Sequence, residues 1–218
     1  MTPPVRRKGG RGRLARAFVF VGVLSFTSCA SSPKDGVVVL RPSPARQPTH
    51  QVVGESIIAS LGGAAVTVQW LSPPGVDRFY AGRIGLVNPF PKETWKDAPP
   101  TVFLVQFRNQ TSEDLQFDPA LTFLVDQRGR RGVPLSFEEV YMGKPEAERS
   151  GPALRSLQAT LFSRYLVLPP GGQREALLVF PGIDPEAKVL LLEFASFFIG
   201  GKSAPGHFEF QVLHQPTQ

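Results

Sequence analysis

The sequence predicts an all-β chain folded as a two-sheet sandwich, with a short helical insertion. Beyond residue 50, short apolar runs alternate with clusters of Gly, Pro, Asn and Asp, the spacing of strands joined by turns. Within several runs apolar and polar side chains alternate with period two, so one face is buried and the other is wet. The 22 Pro and 21 Gly favour many turns over long helices.

Ala65 to Leu71 places Val66, Val68 and Trp70 on one face and Thr67 and Gln69 on the other. Thr101 to Arg108 sets Phe103, Val105 and Phe107 inward, and Asn109-Gln110-Thr111-Ser112 follows as a turn. Leu121 to Val125 and Gly132 to Leu135 flank Asp126 to Arg131 as a hairpin. Arg174 to Phe180, Lys188 to Ile199 and His207 to Leu213 read as three further strands, with Pro169-Pro170-Gly171-Gly172 and Pro181-Gly182 breaking the chain between them. From Ser136 to Phe162 the period becomes helical. Ser136 with Glu139 matches a capping box, Gly143 ends a first short helix, and Leu154, Leu157 and Leu161 recur at helical spacing in a second. An insertion longer than a hairpin needs is expected to cap an open end of the sandwich.

The first 28 residues divide into zones. A basic stretch carries Arg6, Arg7, Lys8, Arg11, Arg13 and Arg16, and Ala17 to Phe26 is apolar but shorter than a helix that crosses a bilayer core of about 30 Å. Phe26-Thr27-Ser28-Cys29 follows directly. This resembles the lipobox of bacterial lipoproteins, with Phe26 in place of the usual Leu. The resemblance implies cleavage before Cys29, a diacylglyceryl group on its sulfur and a further acyl chain, such as palmitate, on its amine. Several chains are needed because one alone binds a bilayer reversibly. A plain secretory signal with an incidental Cys29 is the simpler alternative, although Cys29 is the sole cysteine of the chain. Residues 29–50 contain Pro33, Pro42, Pro44 and Pro48 and are expected to be a Pro-rich tether, with Val37 to Leu40 as an alternative first strand.

The net charge of +6 suggests a nucleic-acid binder until the leader is removed. The leader holds six of the 24 Lys and Arg, and the rest balance 18 Asp and Glu, so no phosphate-binding charge excess remains.

Three segments together look like a recurrent type: Val102 to Thr111, Leu124 to Gly129, and Leu168 to Gly172 ahead of Ala176 to Phe180. They resemble the small immunoglobulin-like domains of exported bacterial lipoproteins, across roughly residues 100 to 213. The resemblance implies an immunoglobulin-like β-sandwich over residues 51–218, with the helical insertion at about 136–162 as a departure. Its motifs are turn chemistry, and it brings no catalytic set.

Candidate chemistry is sparse. His50, His207 and His214 lack the spacing of a zinc site, and there is no Gly-x-Ser-x-Gly elbow. Ser136 reads as a helix cap and Ser196 as a strand residue. Glu138-Glu139 and Glu113-Asp114 are adjacent in sequence, so they face apart on a strand or are solvated on a turn. No catalytic, cofactor or metal residues are assigned. Arg128, Arg130 and Arg131 form the one basic cluster after the leader, readable as contact with acidic head groups or as a solvated hairpin tip, and the tip is the simpler reading. Asn109-Gln110-Thr111 has the pattern of a glycosylation sequon but is better explained as a turn. Residues 73–95 read as a long irregular segment, and its aromatics Phe79, Tyr80, Phe90 and Trp95 read equally as a partner surface or as a plug.

The expected function is that of a non-enzymatic, membrane-anchored envelope lipoprotein, held at the outer membrane facing the periplasm. It would serve as an interaction or structural module whose partners are the bilayer, through Cys29, and another envelope protein, with no nucleic acid. The alternative is an envelope-directed hydrolase with its site near the helical insertion.

Overall fold

In a computed structural model the described residues are 36–43, 49–90, 99–146 and 149–216. The leader, Cys29 and Trp95 lie outside them. The described chain is an all-β sandwich of antiparallel sheets with three short helices. One sheet runs β1 (Gly36–Pro42), β14 (Gly206–Pro216), β11 (Val189–Phe194), β7 (Thr122–Asp126), β8 (Arg131–Gly132). Facing it, β10 (Gln173–Phe180), β5 (Thr101–Arg108), β4 (Ala64–Leu71), β3 (Ser56–Leu61) and β2 (His50–Val53) form a second. A smaller third sheet orders β13 (Lys202–Ser203), β12 (Phe197–Ile199), β6 (Leu115–Phe117) and β9 (Leu166–Leu168).

Period-two alternation explains the main core. Phe103, Val105 and Phe107 of β5 meet Leu190, Leu192 and Phe194 of β11 and Phe208 and Phe210 of β14 in one buried cluster. Phenylalanine rings bridge the sheets, with the Phe103 and Phe210 centroids 5.2 Å apart and those of Phe107 and Phe117 4.9 Å, and those of Phe194 and Phe208, on neighbouring strands of the first sheet, are 5.1 Å apart. Tilted and edge-on ring pairs of this kind contribute about 0.5–1.5 kcal/mol each beyond the area they bury.

Three expectations are corrected. Residues 29–50 are not one tether, because Gly36–Pro42 pairs along its whole length with β14, from Gly36 opposite Pro216 to Pro42 opposite Phe210. Without β1 the 11-residue β14 would present an unpaired edge. Lys188 to Ile199 is not one strand either. Phe194 and Phe197 are both fully buried, yet residues three apart on a continuous strand face opposite ways. A bend at Ala195-Ser196 turns both inward and passes the chain to the third sheet. Finally, Pro73–Ala81 is a helix, α1, and not irregular chain. Ser72 caps it by accepting from the Gly75 N–H, the prolines fall in the first turn where a missing N–H costs nothing, and Val76, Phe79 and Tyr80 are buried at i, i+3, i+4.

The insertion contains the two helices its period predicts, α2 (Phe137–Met142) and α3 (Gly151–Thr160). Both hydrogen bonds of the Ser136–Glu139 capping box are present, and Gly143 caps the C-terminus. These helices do not close an open end of the sandwich. With α1 they cover the outer face of the second sheet, where Leu71, Val102, Leu177 and Val179 project away from the main core. The first half of β5 and the second half of β10 are therefore covered on both faces, which accounts for the unbroken apolar run Ala176 to Phe180.

Asn109 joins the turn after β5 to the turn before β10. It is fully buried. Its Nδ2 donates to the carbonyls of Glu113 (2.7 Å) and Leu168 (2.9 Å), and its Oδ1 accepts from the Thr111 N–H (3.1 Å) and hydroxyl (2.7 Å). Its backbone N–H donates to Gly172 and its carbonyl accepts from Gly171, where φ of 75° suits glycine. The Asn-x-Thr pattern is thus a turn whose amide is occupied inside the protein.

Asn109→Ala takes the amide donor from the buried Leu168 carbonyl and the acceptor from the Thr111 N–H, leaving Glu113 only its bond from the Thr111 hydroxyl, and should cost about 3 kcal/mol, lowering Tm by roughly 9 °C, whereas Gln110→Ala next to it should change stability by less than about 0.5 kcal/mol. Equal effects in thermal denaturation would remove the special role given to Asn109.

Candidate functional site

The aromatic residues proposed as a partner surface are buried, with Phe79 8%, Tyr80 2% and Phe90 9% exposed. They serve the layer between α1 and the second sheet, so the partner-surface reading is corrected to packing; Trp95 lies outside the described residues. The Tyr80 hydroxyl meets Thr160 Oγ at 2.8 Å, and the Thr160 hydroxyl donates to the Ser156 carbonyl at 2.7 Å, tying α1 to α3. Burial keeps the Tyr80 phenol protonated far above its ordinary range. The Val87 N–H donates to Ser156 Oγ at 2.9 Å, joining the loop after α1 to the same helix. Arg83 completes the contact, with its guanidinium carbon 3.5 Å from the Phe79 ring centre and an ion pair to Glu175 of β10.

The basic hairpin cluster is not a free positive patch. Arg130 pairs with Asp126 (2.7 Å) and Asp184 (2.5 Å), Arg128 with Glu186 (2.6 Å), and Arg131 more loosely with Glu193 (3.5 Å). Hydrogen bonds from Arg130 hold the Asp184 carboxyl below its usual range. These pairs neutralise the charge a head group or phosphate would seek, which corrects the binding reading in favour of a paired hairpin tip.

A concavity lies beside the helical insertion. A cleft of about 670 Å³ opens between α2, the C-terminal end of α3, the segment 161–166 and the start of β10. Phe162 and Leu161 form its buried floor, and Arg164, Tyr165 and Arg174 stand exposed around it. The Tyr165 hydroxyl donates to Gln116 Oε1 at 3.0 Å. Neither the Arg164 nor the Arg174 side chain has an ion-pair or hydrogen-bond partner among the described residues. Nor does Ser163, also on the cleft, have a hydrogen-bonded base among them, so the geometry offers binding groups and no activated nucleophile. None of the residues singled out from sequence lines this cleft, except Glu138 and Leu161. The signal was the run Ser163-Arg164-Tyr165 after a helical period, which is short and has no repeat.

His50 and His207 do come together. His50 is buried with its ring centroid 5.4 Å from that of Phe208, and burial lowers its pKa, an effect the His207 backbone partly offsets. Among the described residues no three of His, Cys, Asp and Glu are arranged to hold a metal ion, and no helix is long and apolar enough to cross a membrane.

No protein-family model matches the chain, and no curated protein matches it. A search of solved structures returns the yjhA protein from Bacillus subtilis, 13% identical, with a TM-score of 0.34, covering 66% of this chain and 78% of that one. So distant a likeness carries no argument about fold or function.

Two outcomes test this packing. Tyr80→Phe should cost about 1 kcal/mol, because Thr160 keeps its bond to Ser156, while Tyr80→Ala should cost about 3–5 kcal/mol in chemical denaturation. An alanine variant as stable as the phenylalanine one would mean that α1 is peripheral. For His50, the folded pKa lies below the unfolded value of about 6.5, so the unfolded chain takes up the proton first as pH falls. Stability is full above that value and declines as pH drops through it toward the lowered folded pKa. His50→Gln should flatten the dependence of the denaturation midpoint between about pH 7 and 5.5, and an unchanged slope would assign it elsewhere.

Proposed function

We propose that this protein is an exported lipoprotein, held on a membrane of the bacterial envelope by acyl chains on Cys29, whose β-sandwich works as a non-catalytic interaction module. The observation that carries the proposal is the order of the first 29 residues: an acid-free basic stretch, a short apolar run, then Phe-Thr-Ser-Cys. A charge balance close to zero beyond the leader supports a role away from nucleic acid. The cleft, with binding groups around an apolar floor and no activated nucleophile among the described residues, supports recognition over turnover. Ala30 follows Cys29 where some inner-membrane lipoproteins carry Asp, which favours the outer membrane, facing the periplasm.

Intact-mass analysis of the protein extracted from native envelope should give an amino terminus at Cys29 carrying diacylglyceryl and acyl mass, and Cys29→Ala should abolish both the added mass and partition into detergent. A free thiol on an otherwise processed chain, or an uncleaved leader in the wild type, would contradict the anchor. Pull-down with the lipidated form should recover a defined envelope protein, and consistent recovery of none under mild conditions would count against the interaction role.

A further inference from the structure

We propose that the cleft beside β10 receives an extended acidic segment of a partner protein, which lengthens the second sheet along the open end of β10 and places carboxylates on Arg164 and Arg174. This deepens the interaction-module reading and rests on it.

Strand geometry identifies the open end. Arg174, Ala176 and Leu178 sit opposite Phe107, Val105 and Phe103, while the Val179 and Leu177 carbonyls accept from Leu135 (2.7 Å) and Phe162 (3.0 Å) on the other side. Residues 173, 175, 177 and 179 therefore direct their backbone groups away from β5, since N–H and C=O of one strand residue point to the same neighbour. The insertion covers this edge at 177 and 179. At Gln173 and Glu175 no described residue does so. That pair of residues flanks Arg174, which lines the cleft, so the uncovered stretch and the cleft are adjoining parts of one surface.

An uncovered strand end is a template for another chain, and natural proteins usually block it. Charge selects the occupant. The basic residues of the β7–β8 hairpin are paired with acids, and Arg83 with Glu175, yet Arg164 and Arg174 stand exposed and unpartnered among the described residues. They outnumber Glu138, the one acid on the cleft. Phe137 and Tyr165, partly buried and exposed respectively, offer apolar surface to alternate side chains of an extended chain. A neutral ligand would leave both guanidiniums unused, and a basic one would be repelled.

The test uses the full lipidated protein in a non-ionic detergent and a capped, fluorescein-labelled decapeptide of alternating Glu and Val, followed by anisotropy at low ionic strength. The acidic peptide should bind at least about tenfold more tightly than its Gln-Val counterpart, and added salt should weaken it because the charges are exposed. Methylating the backbone nitrogen of every second residue should weaken binding by a similar factor, since it removes the donors that strand pairing needs. Arg164→Glu with Arg174→Glu should abolish the preference for the acidic peptide, Arg164→Lys with Arg174→Lys should largely keep it, and Arg41→Glu on β1 should leave affinity unchanged. An unaltered thermal transition in the double Glu variant excludes misfolding, as expected for two exposed side chains without partners. No binding at millimolar peptide, equal binding of both peptides, or wild-type affinity in the double Glu variant would overturn the proposal. Indifference to N-methylation would overturn the strand-addition part of it. If any of these is found while Cys29 carries its lipid and pull-down recovers a partner, the anchored-module reading stands and only the docking site falls.

Discussion

The two-sided burial of the paired halves of β5 and β10, Thr101 to Leu104 against Leu177 to Phe180, is the constraint that organises this fold. On one side Phe103, Phe107, Leu178 and Phe180 enter the core between the sheets; on the other Val102, Leu177 and Val179 are covered by α1, α2 and α3. A sheet of a two-layer sandwich ordinarily shows water its outer face, and here half of that face cannot, because Val102 and Leu104 of β5 and Leu177 and Val179 of β10 are apolar, while Gln106, Arg108, Gln173 and Glu175 beyond them are polar. The helices are for that reason a third layer of the protein. Once they are required, Tyr80 with Thr160 ties α1 to α3, and Arg83 with Glu175 ties the end of α1 to the sheet.

This layer also determines where the surface opens. The insertion leaves the sheet edge at Leu135, forms two helices, and returns to the edge at Phe162. It covers β10 at 177 and 179 and stops short of 173 and 175, so the cleft marks where the covering layer ends. Asn109 holds the neighbouring corner by fastening the turn after β5 to the Pro-Gly turn before β10, which fixes where β10 begins. Position and shape of the cleft thus follow from packing and turn chemistry.

Much of the fold was legible in local patterns. Period two located β4 and β5 nearly to the residue and most of β14, an apolar run between Pro-Gly breaks located β10, and the Ser136–Glu139 capping box located α2, because each signal is complete within a few neighbouring residues. The misses share a cause. β1 depends on β14, far away in sequence, so the apolar run Val37 to Leu40 offers a strand only as the alternative to a tether, and the bend after β11 depends on two phenylalanines that must both reach the core, which a window of ten residues does not show. For α1, Pro73-Pro74-Gly75 at the start of an otherwise irregular segment also suits a first helical turn, and the spacing of Val76, Phe79 and Tyr80 is the signal that decides it. The candidate surface fared worse for the same reason. Whether an aromatic is plug or patch, and whether an arginine is free or paired, depends on partners that sequence does not place: Phe79 and Tyr80 found the helical layer, and Arg130 found Asp184 some fifty residues on. Nothing in the sequence around Arg164 and Arg174 marks their side chains as unpartnered.

Native-state hydrogen exchange tests the third layer most directly. If the helices are part of the cooperative unit, protected amides in α1 and α3 exchange with the same free energy as those of β5 and β10, and all four respond in parallel to low denaturant. Helices that open at several kcal/mol less, while β5 and β10 keep their protection, would show that the strands do not need their outer cover.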